Sequence, residues 1–293
     1  MIVLDGKELS TRLKEEIKEK VGKIKEEGGN IPHLAAVLVG DDPASQSYVK
    51  SKVRSCEYVG FESTLIRKDS SISQEELLEI VRDLNESEDV DGFIVQLPLP
   101  KHIDETTVTL AIDPKKDVDG FHPVNFGRMA QGLPSYIPAT PLGIITMLER
   151  FEIETSGKHA VVLGRSNIVG TPISILLSRK QPVGNATVTL VHSRTKNISE
   201  ELKRADIIIA AIGVPNFVGA DMVKEGAVII DVGINRVADD SRKSGYRLVG
   251  DVDYDALMGK VSHMTPVPGG VGPMTVASLL LNTLKASKKE IYD

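Results

Sequence analysis

Apolar residues along the first half of the chain follow helical and strand spacings in turn. The first helical pattern covers residues 7–27 and sets its apolar side chains among lysines and glutamates: Leu9, Leu13, Ile17, Val21 and Ile24. Two more helical patterns cover 44–59 and 73–85, and the short apolar runs between the helices lie at 34–39, 61–66 and 93–96. Strands alternating with helices favour a parallel α/β sheet.

The second half repeats this alternation after a stretch without periodicity. Residues 113–140 are rich in Pro, Gly and Asp, so we expect irregular structure and a domain boundary there. Four strands are predicted beyond a helix that starts at Pro141, at 159–163, 187–191, 206–210 and 227–231. Helices are predicted at 168–180, 198–204, 254–259 and 273–287. No internal repeat is apparent, and the pattern predicts two parallel-sheet α/β domains.

Composition narrows the class of protein. A chain of 293 residues favours two domains, and 41% hydrophobic with 26% charged residues is typical of a globular protein. The net charge of −6 argues against a nucleic-acid partner, which would need a basic face. The apolar runs are too short to span a membrane, and the single cysteine, Cys56, fits a reducing compartment. We therefore expect a cytoplasmic protein.

Residues 265–275 stand out because they contain three prolines and three glycines directly before an apolar helical run. Proline fixes φ, whereas glycine lets the backbone approach a neighbour closely. Such a loop at a helix N-terminus suits a flat or anionic ligand held against main-chain amides. An ordinary turn between two elements is the alternative.

A buried strand, a glycine turn and a helix start follow one another at residues 161–172. In dinucleotide-binding folds this turn aims helix N-terminal amides at the pyrophosphate, although the spacing from Gly164 to Gly170 departs from the usual motif. After the next strand, Ser193 and Arg194 stand where NAD enzymes carry an acidic residue. With Arg165 they suit a 2′-phosphate, which favours NADP over NAD. The alternative is a domain with solvated arginines and no cofactor.

Three side chains in the first half are candidates for proton-transfer chemistry. Tyr48 and Lys52 are four residues apart on one predicted helix, so they share a face. A lysine whose pKa is lowered by burial can transfer protons, and Gln96, at the end of a buried strand, can bond it without adding charge. A solvated lysine and a glutamine satisfied by its own loop are the alternatives.

Asp117 and Asp119 lie in a glycine-containing loop. No third acidic or histidine ligand sits at a useful spacing, so we predict no metal site. One aspartate accepting two N–H bonds from an amino-pyrimidine edge is a better use of this loop, and turn capping is the alternative.

Six segments together resemble one family, the bifunctional methylenetetrahydrofolate dehydrogenase/cyclohydrolases. They are PASQSYVKSK at 43–52, GFIVQLPLP at 92–100, KDVDGFHP at 116–123, GRSNIVG at 164–170, DVGINR at 231–236 and TPVPGGVGPMT at 265–275. They occur in the family's order and cover the chain almost from end to end. Short-chain dehydrogenases also contain Tyr-x-x-x-Lys, but there the glycine-rich cofactor loop comes first.

The resemblance implies two domains around a cleft. Residues 1–140 would bind folate, with the C-terminal helix 273–293 packed back on them, and residues 141–272 would form a Rossmann-type NADP domain. The implied reactions are oxidation of 5,10-methylenetetrahydrofolate by NADP and hydrolysis of the methenyl product to 10-formyltetrahydrofolate. A homodimer and a place in one-carbon metabolism that serves purine biosynthesis are also implied.

The resemblance also assigns residues to roles. Lys52 would be the main catalytic group, held by Gln96, with Tyr48 orienting the folate and Asp119 binding the pterin edge. The expected substrate-binding residues are Tyr48, Val49, Lys52, Val95, Gln96, Leu97, Asp119, Pro268, Gly269, Gly270, Val271 and Gly272. The expected cofactor-binding residues are Gly164, Arg165, Ser166, Ile168, Val169, Ser193, Arg194 and Ile234.

Two other functions remain open at this point. One is an enzyme with only the dehydrogenase or only the cyclohydrolase activity. The other is a non-catalytic dinucleotide-binding protein on the same fold, because a fold does not determine a function.

Overall fold

A computed structural model describes residues 1–242 and 245–292 of the chain. The helices are α1 (Gly6–Glu26), α2 (Pro43–Val59), α3 (Gln74–Glu86), α4 (Glu105–Ala111), α5 (Pro123–Gln131), α6 (Ala139–Arg150), α7 (Gly170–Ser178), α8 (Ile198–Arg204), α9 (Tyr254–Leu257) and α10 (Val271–Ser287). The strands are β1 (Ile2–Val3), β2 (His33–Val39), β3 (Glu62–Lys68), β4 (Gly92–Val95), β5 (His159–Leu163), β6 (Thr187–Val191), β7 (Ile207–Ala210), β8 (Val228–Asp231), β9 (Asn235–Ala238), β10 (Tyr246–Val249) and β11 (His263–Met264). Among the described residues, no helix is long and apolar enough to cross a membrane.

The chain divides into two compact units, which we name by their sheets. The three-stranded unit contains Thr11–Ala139 and the C-terminal segment that starts at Val276, and the six-stranded unit contains Met1–Ser10 and Thr140–Thr275. Both sheets are parallel, which confirms the predicted fold class.

The three-stranded unit has the strand order β3-β2-β4. The chain passes from β2 to β3 on one side and then crosses back to β4 on the other. In open α/β sheets, ligands bind outside the carboxyl ends of the strands where the order reverses in this way. The end of β2, which leads into α2, and the end of β4, which leads into Gln96, are therefore the places to look for a site.

Strand β2 is apolar from Leu34 to Val39 because both faces of this sheet are covered. Leu34, Ala36 and Leu38 pack in one cluster with residues of α1, α2 and α10. Ala35, Val37 and Val39 pack in a second cluster with residues of α3 and α4. The alternation of successive side chains between the two faces of a strand produces these two layers.

The six-stranded unit has the order β1-β11-β8-β7-β5-β6, and β9 and β10 form a separate antiparallel hairpin. Its order reverses at β5, between β6 and β7, which marks the residues after Leu163 as a second candidate binding edge. Aliphatic side chains of the central strands, among them Val161, Ile208 and Ile229, form its core.

The two sheets share an arrangement that the sequence did not reveal. In the three-stranded unit, the main-chain N–H of His33 donates to Asp91 Oδ2 at 2.8 Å, and the ring Nε2 lies 2.9 Å from Thr64 Oγ1. In the six-stranded unit the same two contacts occur at the same distances between His159, Asp206 and Thr189. The strand orders β3-β2-β4 and β6-β5-β7 also correspond. The two sheets therefore share this local arrangement, although the sequence shows no repeat.

The sequence patterns did not predict several of the helices and strands in the structure. Residues 113–140, predicted as irregular, contain α5, which His122 caps at Val124 N, with Pro123 in the first turn and Gly132 as the left-handed C-cap. Here proline and histidine start a helix instead of marking a loop. The hairpin of β9 and β10, the helix α4 and the two-residue strands β1 and β11 were not predicted either.

The first ten residues lie in the six-stranded unit. The reason is that β1 pairs with β11, and Lys7 N donates to Gly269 O at 2.8 Å. The limits of the two compact units therefore differ from the predicted domain boundaries, which were 1–140 with 273–293 for one domain and 141–272 for the other. The assignment of folate and NADP binding to these domains stays a prediction.

Candidate active site

Helix α2 carries Lys52 into the interior of the three-stranded unit. The helix starts where Asp42 accepts a hydrogen bond from Ser45 N at 2.7 Å, and it ends at Gly60 in the left-handed conformation. One stripe of α2 is buried at three- and four-residue spacing, and Lys52 lies on it between Val49 and Cys56, only 6% exposed. A buried lysine is costly unless its amine is satisfied, so its partners decide its charge.

The amine of Lys52 donates to Gln96 Oε1 at 3.1 Å, across 44 residues of sequence. Burial lowers the pKa of Lys52, against a smaller upward effect of Asp119 and Cys56. The partner is a neutral amide and brings no compensating charge, so burial dominates. This favours the unprotonated amine, the form that can accept a proton.

Gln96 is held in the orientation that this contact requires. Its main-chain N–H extends the ladder of β4 by donating to Val37 O at 2.9 Å. Its side-chain Nε2 donates to Leu97 O at 2.7 Å, so the remaining amide oxygen is the atom that faces Lys52. Gln96 is therefore a fixed acceptor and not a strand-end residue satisfied only by its own loop.

Asp117 organises the loop after β4. Its buried carboxylate accepts hydrogen bonds from Gly120 N at 3.1 Å, His122 N at 2.8 Å and Asn125 Nδ2 at 2.9 Å. Burial, only partly opposed by these donors, raises the pKa of Asp117 to about 7. With all its bonds directed into the turn, Asp117 matches the turn-capping alternative.

The carboxylate of Asp119, two residues after Asp117, differs in its hydrogen bonding. Within residues 1–242 and 245–292, no donor is hydrogen-bonded to its partly buried carboxylate. Burial raises its pKa, and the nearby Lys52 opposes that rise. With Leu97 and Phe121, Asp119 lines a pocket next to β4. Asp119 is thus an available acceptor near the Lys52 amine.

Tyr48 lies one helical turn before Lys52, and 36% of it is exposed. Partial burial raises the pKa of its hydroxyl, so the phenol stays neutral. An exposed ring at the edge of a site can stack on a flat ligand. Val49 and Val95, also predicted to bind substrate, have side chains buried in the core, so only their main-chain atoms are available.

Cys56 follows Lys52 by one turn on the same stripe. The thiol is fully buried, and burial raises its pKa to about 12. It therefore stays protonated and does not act as a nucleophile.

The six-stranded unit holds the predicted cofactor loop after β5. Gly164 has φ 117°, and a Cβ there would lie 2.1 Å from Ala211 O, so only glycine fits. The next four residues, 165–168, are exposed, and among the described residues their main-chain N–H groups have no protein acceptor. Ser166 Oγ instead accepts from Val169 N at 3.1 Å, next to the start of α7. A bare turn with free amides at a helix N-terminus fits a dinucleotide pyrophosphate.

The residues predicted to select NADP follow the carboxyl ends of two neighbouring strands, β5 and β6, at the same edge of the sheet. Leu163 and Val191 are register partners, and Arg165 and Ser193 each follow two residues later. Ser193, Arg194 and Arg165 are all exposed. The loop at 181–185 precedes the opposite, amino end of β6, and its Asn185 Nδ2 bonds back to Gln181 O at 2.9 Å. That loop therefore lies at the opposite end of β6 from Ser193 and Arg194.

The loop of prolines and glycines is packed against the start of the chain. A Cβ on Gly6 would lie 1.8 Å from Gly270 O, and one on Gly272 would lie 3.5 Å from Ile234 Cδ1. Pro268 and Ile234 are exposed, whereas Val271 is buried. The loop thus lies beside the predicted cofactor residue Ile234 within one unit, although the helix begins at Val271 and not at Pro273.

The structure therefore groups the predicted residues into two sets. Tyr48, Lys52, Gln96 and Asp119 share the three-stranded unit, and the predicted cofactor and Pro/Gly-loop residues share the six-stranded unit. The prediction missed Asn125, which bonds Asp117 and whose Oδ1 accepts from Tyr292 at 2.7 Å. The signal was present in the His-Pro start and glycine end of α5.

Comparisons with known proteins agree on one family. Residues 4–119 match the model of the tetrahydrofolate dehydrogenase/cyclohydrolase catalytic domain, and residues 138–291 match that of its NAD(P)-binding domain. The chain is 61% identical to the bifunctional protein FolD of Cytophaga hutchinsonii over 98% of this chain and 99% of the relative. It is 59% identical to that of Bacteroides fragilis over 100% of both chains.

Solved structures give the same result. The bifunctional FolD from Campylobacter jejuni matches with a TM-score of 0.92 and 47% identity over 99% of both chains. The Trypanosoma brucei dehydrogenase-cyclohydrolase, solved with NADP cofactor and an inhibitor, matches with a TM-score of 0.94 and 37% identity over 100% of this chain and 99% of that one.

Proposed function

The chain belongs to the tetrahydrofolate dehydrogenase/cyclohydrolase family, and on that premise we propose how its residues carry out the family's two reactions. It is a bifunctional enzyme. It oxidises 5,10-methylenetetrahydrofolate with NADP to the 5,10-methenyl cation, and it hydrolyses that cation to 10-formyltetrahydrofolate.

NADP, when bound, supplies the acceptor for the hydride that leaves the methylene carbon. In our proposal the free amides after Gly164 bind the pyrophosphate, and Arg165, Ser193 and Arg194 bind the 2′-phosphate. The fit is supported by the bare glycine turn and by the common sheet edge that these residues share. Ile168, Val169 and Ile234 line the remaining cofactor surface in this proposal.

The folate lies against the three-stranded unit in the proposal, and residues 268–272 of the six-stranded unit stay predicted substrate-binding residues. The ring of Tyr48 stacks on the substrate and orients it. The carboxylate of Asp119 accepts hydrogen bonds from the amino-pyrimidine edge of the pterin. Support comes from the exposure of Tyr48 and from the absence of a donor to Asp119 among the described residues.

The observation that carries the proposal is the buried amine of Lys52 hydrogen-bonded to Gln96. Loss of a hydride leaves a cation delocalised over two nitrogens and the carbon between them. An unprotonated amine and a neutral amide do not repel that cation, whereas a charged ammonium would.

The same amine serves the hydrolytic step. Water adds to the cationic carbon, so that a C–O bond forms and one proton is released. We assign that proton to the Lys52 amine, which acts as the general base. The resulting carbinolamine then collapses: the bond from the carbon to N5 breaks, the hydroxyl proton passes to N5, and the C=O of the 10-formyl group forms. Gln96 holds the amine in place and, being uncharged, keeps its pKa low.

Replacing Lys52 with methionine tests the assignment. Lys52→Met removes the base and keeps a chain of similar length, so we expect cyclohydrolase activity to fall by about 100-fold or more, in line with the usual effect of a general base. With NADP and methylene substrate, the methenyl product should accumulate and be visible by its absorbance. Lys50→Met, at an exposed position of the same helix, is the matched control. Full cyclohydrolase activity in Lys52→Met would refute the role of Lys52.

We further propose that the enzyme is a cytoplasmic homodimer whose product supplies formyl groups for purine synthesis. The single cysteine and the acidic net charge of −6 support a reducing compartment without a nucleic-acid partner. Sedimentation velocity of the full chain measures the oligomeric state, and a monomer at micromolar concentration would contradict the homodimer.

A further inference from the structure

We propose that His192 and Thr195 are positioning residues that hold Ser193 and Arg194 in place for the 2′-phosphate and so set the preference for NADP over NAD. The inference rests on the cofactor site proposed above. It concerns two side chains that carry no role in that site.

Three hydrogen bonds hold the turn of residues 192–195, two between its ends and one from Arg194 back to His192. His192 N donates to Thr195 Oγ1 at 3.0 Å, and Thr195 N donates to His192 O at 2.8 Å. Arg194 N donates to the ring nitrogen Nδ1 of His192 at 3.2 Å. Two of the three bonds depend on a side chain, so the turn is held by the particular residues at positions 192 and 195.

These three hydrogen bonds, which we call the clamp, leave the central residues of the turn, Ser193 and Arg194, available to a ligand. Ser193 and Arg194 are exposed, whereas His192 and Thr195 are partly buried. Across the described part of the chain, neither the N–H nor the hydroxyl of Ser193 has a protein partner. The N–H of Arg194 is already bonded to His192. The turn therefore presents the Ser193 donors and the Arg194 guanidinium, which are the groups that a phosphate needs.

The position in the sheet supports the same function. Val191 ends β6 beside Leu163, the last residue of β5, so the turn leaves the sheet where the glycine loop does. An exposed four-residue turn without side-chain bonds would lose conformational freedom on binding a phosphate. Because the clamp removes part of that freedom beforehand, it lowers the entropic cost of binding.

NADP and NAD differ only in the 2′-phosphate. Loosening the turn should therefore weaken the binding of NADP and leave the binding of NAD unaffected, whereas general damage to the domain would weaken the binding of both nucleotides. The ratio of the two dissociation constants separates positioning from a merely structural role.

The test measures dissociation constants of both nucleotides by calorimetry on the full chain without folate. Thr195→Val removes the acceptor and keeps the shape, and His192→Leu removes Nδ1. We expect each to raise the Kd for NADP about two- to tenfold, the range of one net hydrogen bond, with the Kd for NAD unchanged. His192→Asn, whose side-chain oxygen can accept from Arg194 N, should restore most of the NADP affinity.

Thr189→Val is the matched control. It makes the same change in the middle of strand β6, where Thr189 Oγ1 lies 2.9 Å from the His159 ring and outside the turn of residues 192–195. It should leave both dissociation constants unchanged.

The outcomes separate the two proposals. If Thr195→Val and His192→Leu leave the ratio of the two constants at its wild-type value, the clamp is refuted. If Ser193→Ala and Arg194→Ala also leave NADP binding unchanged, the proposed 2′-phosphate site itself is wrong. If those two weaken NADP while the clamp variants do not, only the clamp fails.

Discussion

Replacing Gln96 with glutamate places a negative charge beside the Lys52 amine and removes the hydrogen bond that Nε2 donates to Leu97 O. The two side chains have the same shape, and the new carboxylate would lie where Oε1 now lies, 3.1 Å from the amine. At that distance a unit charge pair interacts by about 5 kcal/mol at an effective dielectric constant of about 20, and by about 1.3 kcal/mol in water. Because Lys52 is buried, the interaction lies well above the water value.

This interaction raises the pKa of Lys52 and favours the protonated amine. Since about 1.4 kcal/mol corresponds to a factor of ten, the unprotonated fraction at neutral pH falls at least about tenfold. The cyclohydrolase rate should fall by the same factor or more, because only the free amine accepts the proton. The dehydrogenase should lose less, since the new pair of opposite charges is neutral overall.

The assay follows the decay of the methenyl absorbance across a pH series. In Gln96→Glu the rising limb of the pH–rate profile should move to higher pH, and activity should recover there. Gln96→Met, which removes the acceptor without adding charge, separates the two effects. Gln131→Glu, at an exposed position, is the control for an added charge. A Gln96→Glu enzyme with wild-type cyclohydrolase rate and an unmoved profile would refute the argument.

Three further predictions follow from the same contacts. Burial holds the folded pKa of Lys52 below its unfolded value, so wild-type stability rises with pH between those two values, by at most about 1.4 kcal/mol per pH unit. Lys52→Met should lack this rise and should unfold at a higher temperature than wild type near pH 7. Calorimetry measures both proteins across a pH series, and an equal dependence of stability on pH in the two would contradict the prediction. Asp119→Asn loses one of two acceptor oxygens and should raise the KM for folate at least tenfold while the Kd for NADP stays constant; an unchanged KM would remove Asp119 from the pterin site. Arg194→Glu places a like charge beside the 2′-phosphate, so the Kd for NADP should rise by about tenfold or more while the Kd for NAD stays unchanged. Equal losses for both nucleotides in titrations would count against the cofactor assignment.

Local patterns were sufficient for the fold class. Apolar runs bounded by glycine and proline predicted the long strands, and helical spacing predicted the long helices, because burial imposes a period on each element. The family and the NADP cofactor were also predicted from short segments, and the comparisons confirmed both. Short elements such as β1 and β11 were missed because two residues carry no period, and their pairing joins segments about 260 residues apart.

The chemistry of the site depended on tertiary structure. Helical spacing placed Tyr48 and Lys52 on one face, but only the packed helix buries one and exposes the other. The contact between Lys52 and Gln96 spans 44 residues and exists because two strands of one sheet bring α2 and the end of β4 together. Desolvation lowers the pKa of the amine, and desolvation is a property of the assembled core that no local pattern contains. The chain by itself thus determined which groups are present, and the fold decided which of them meet and which carry charge.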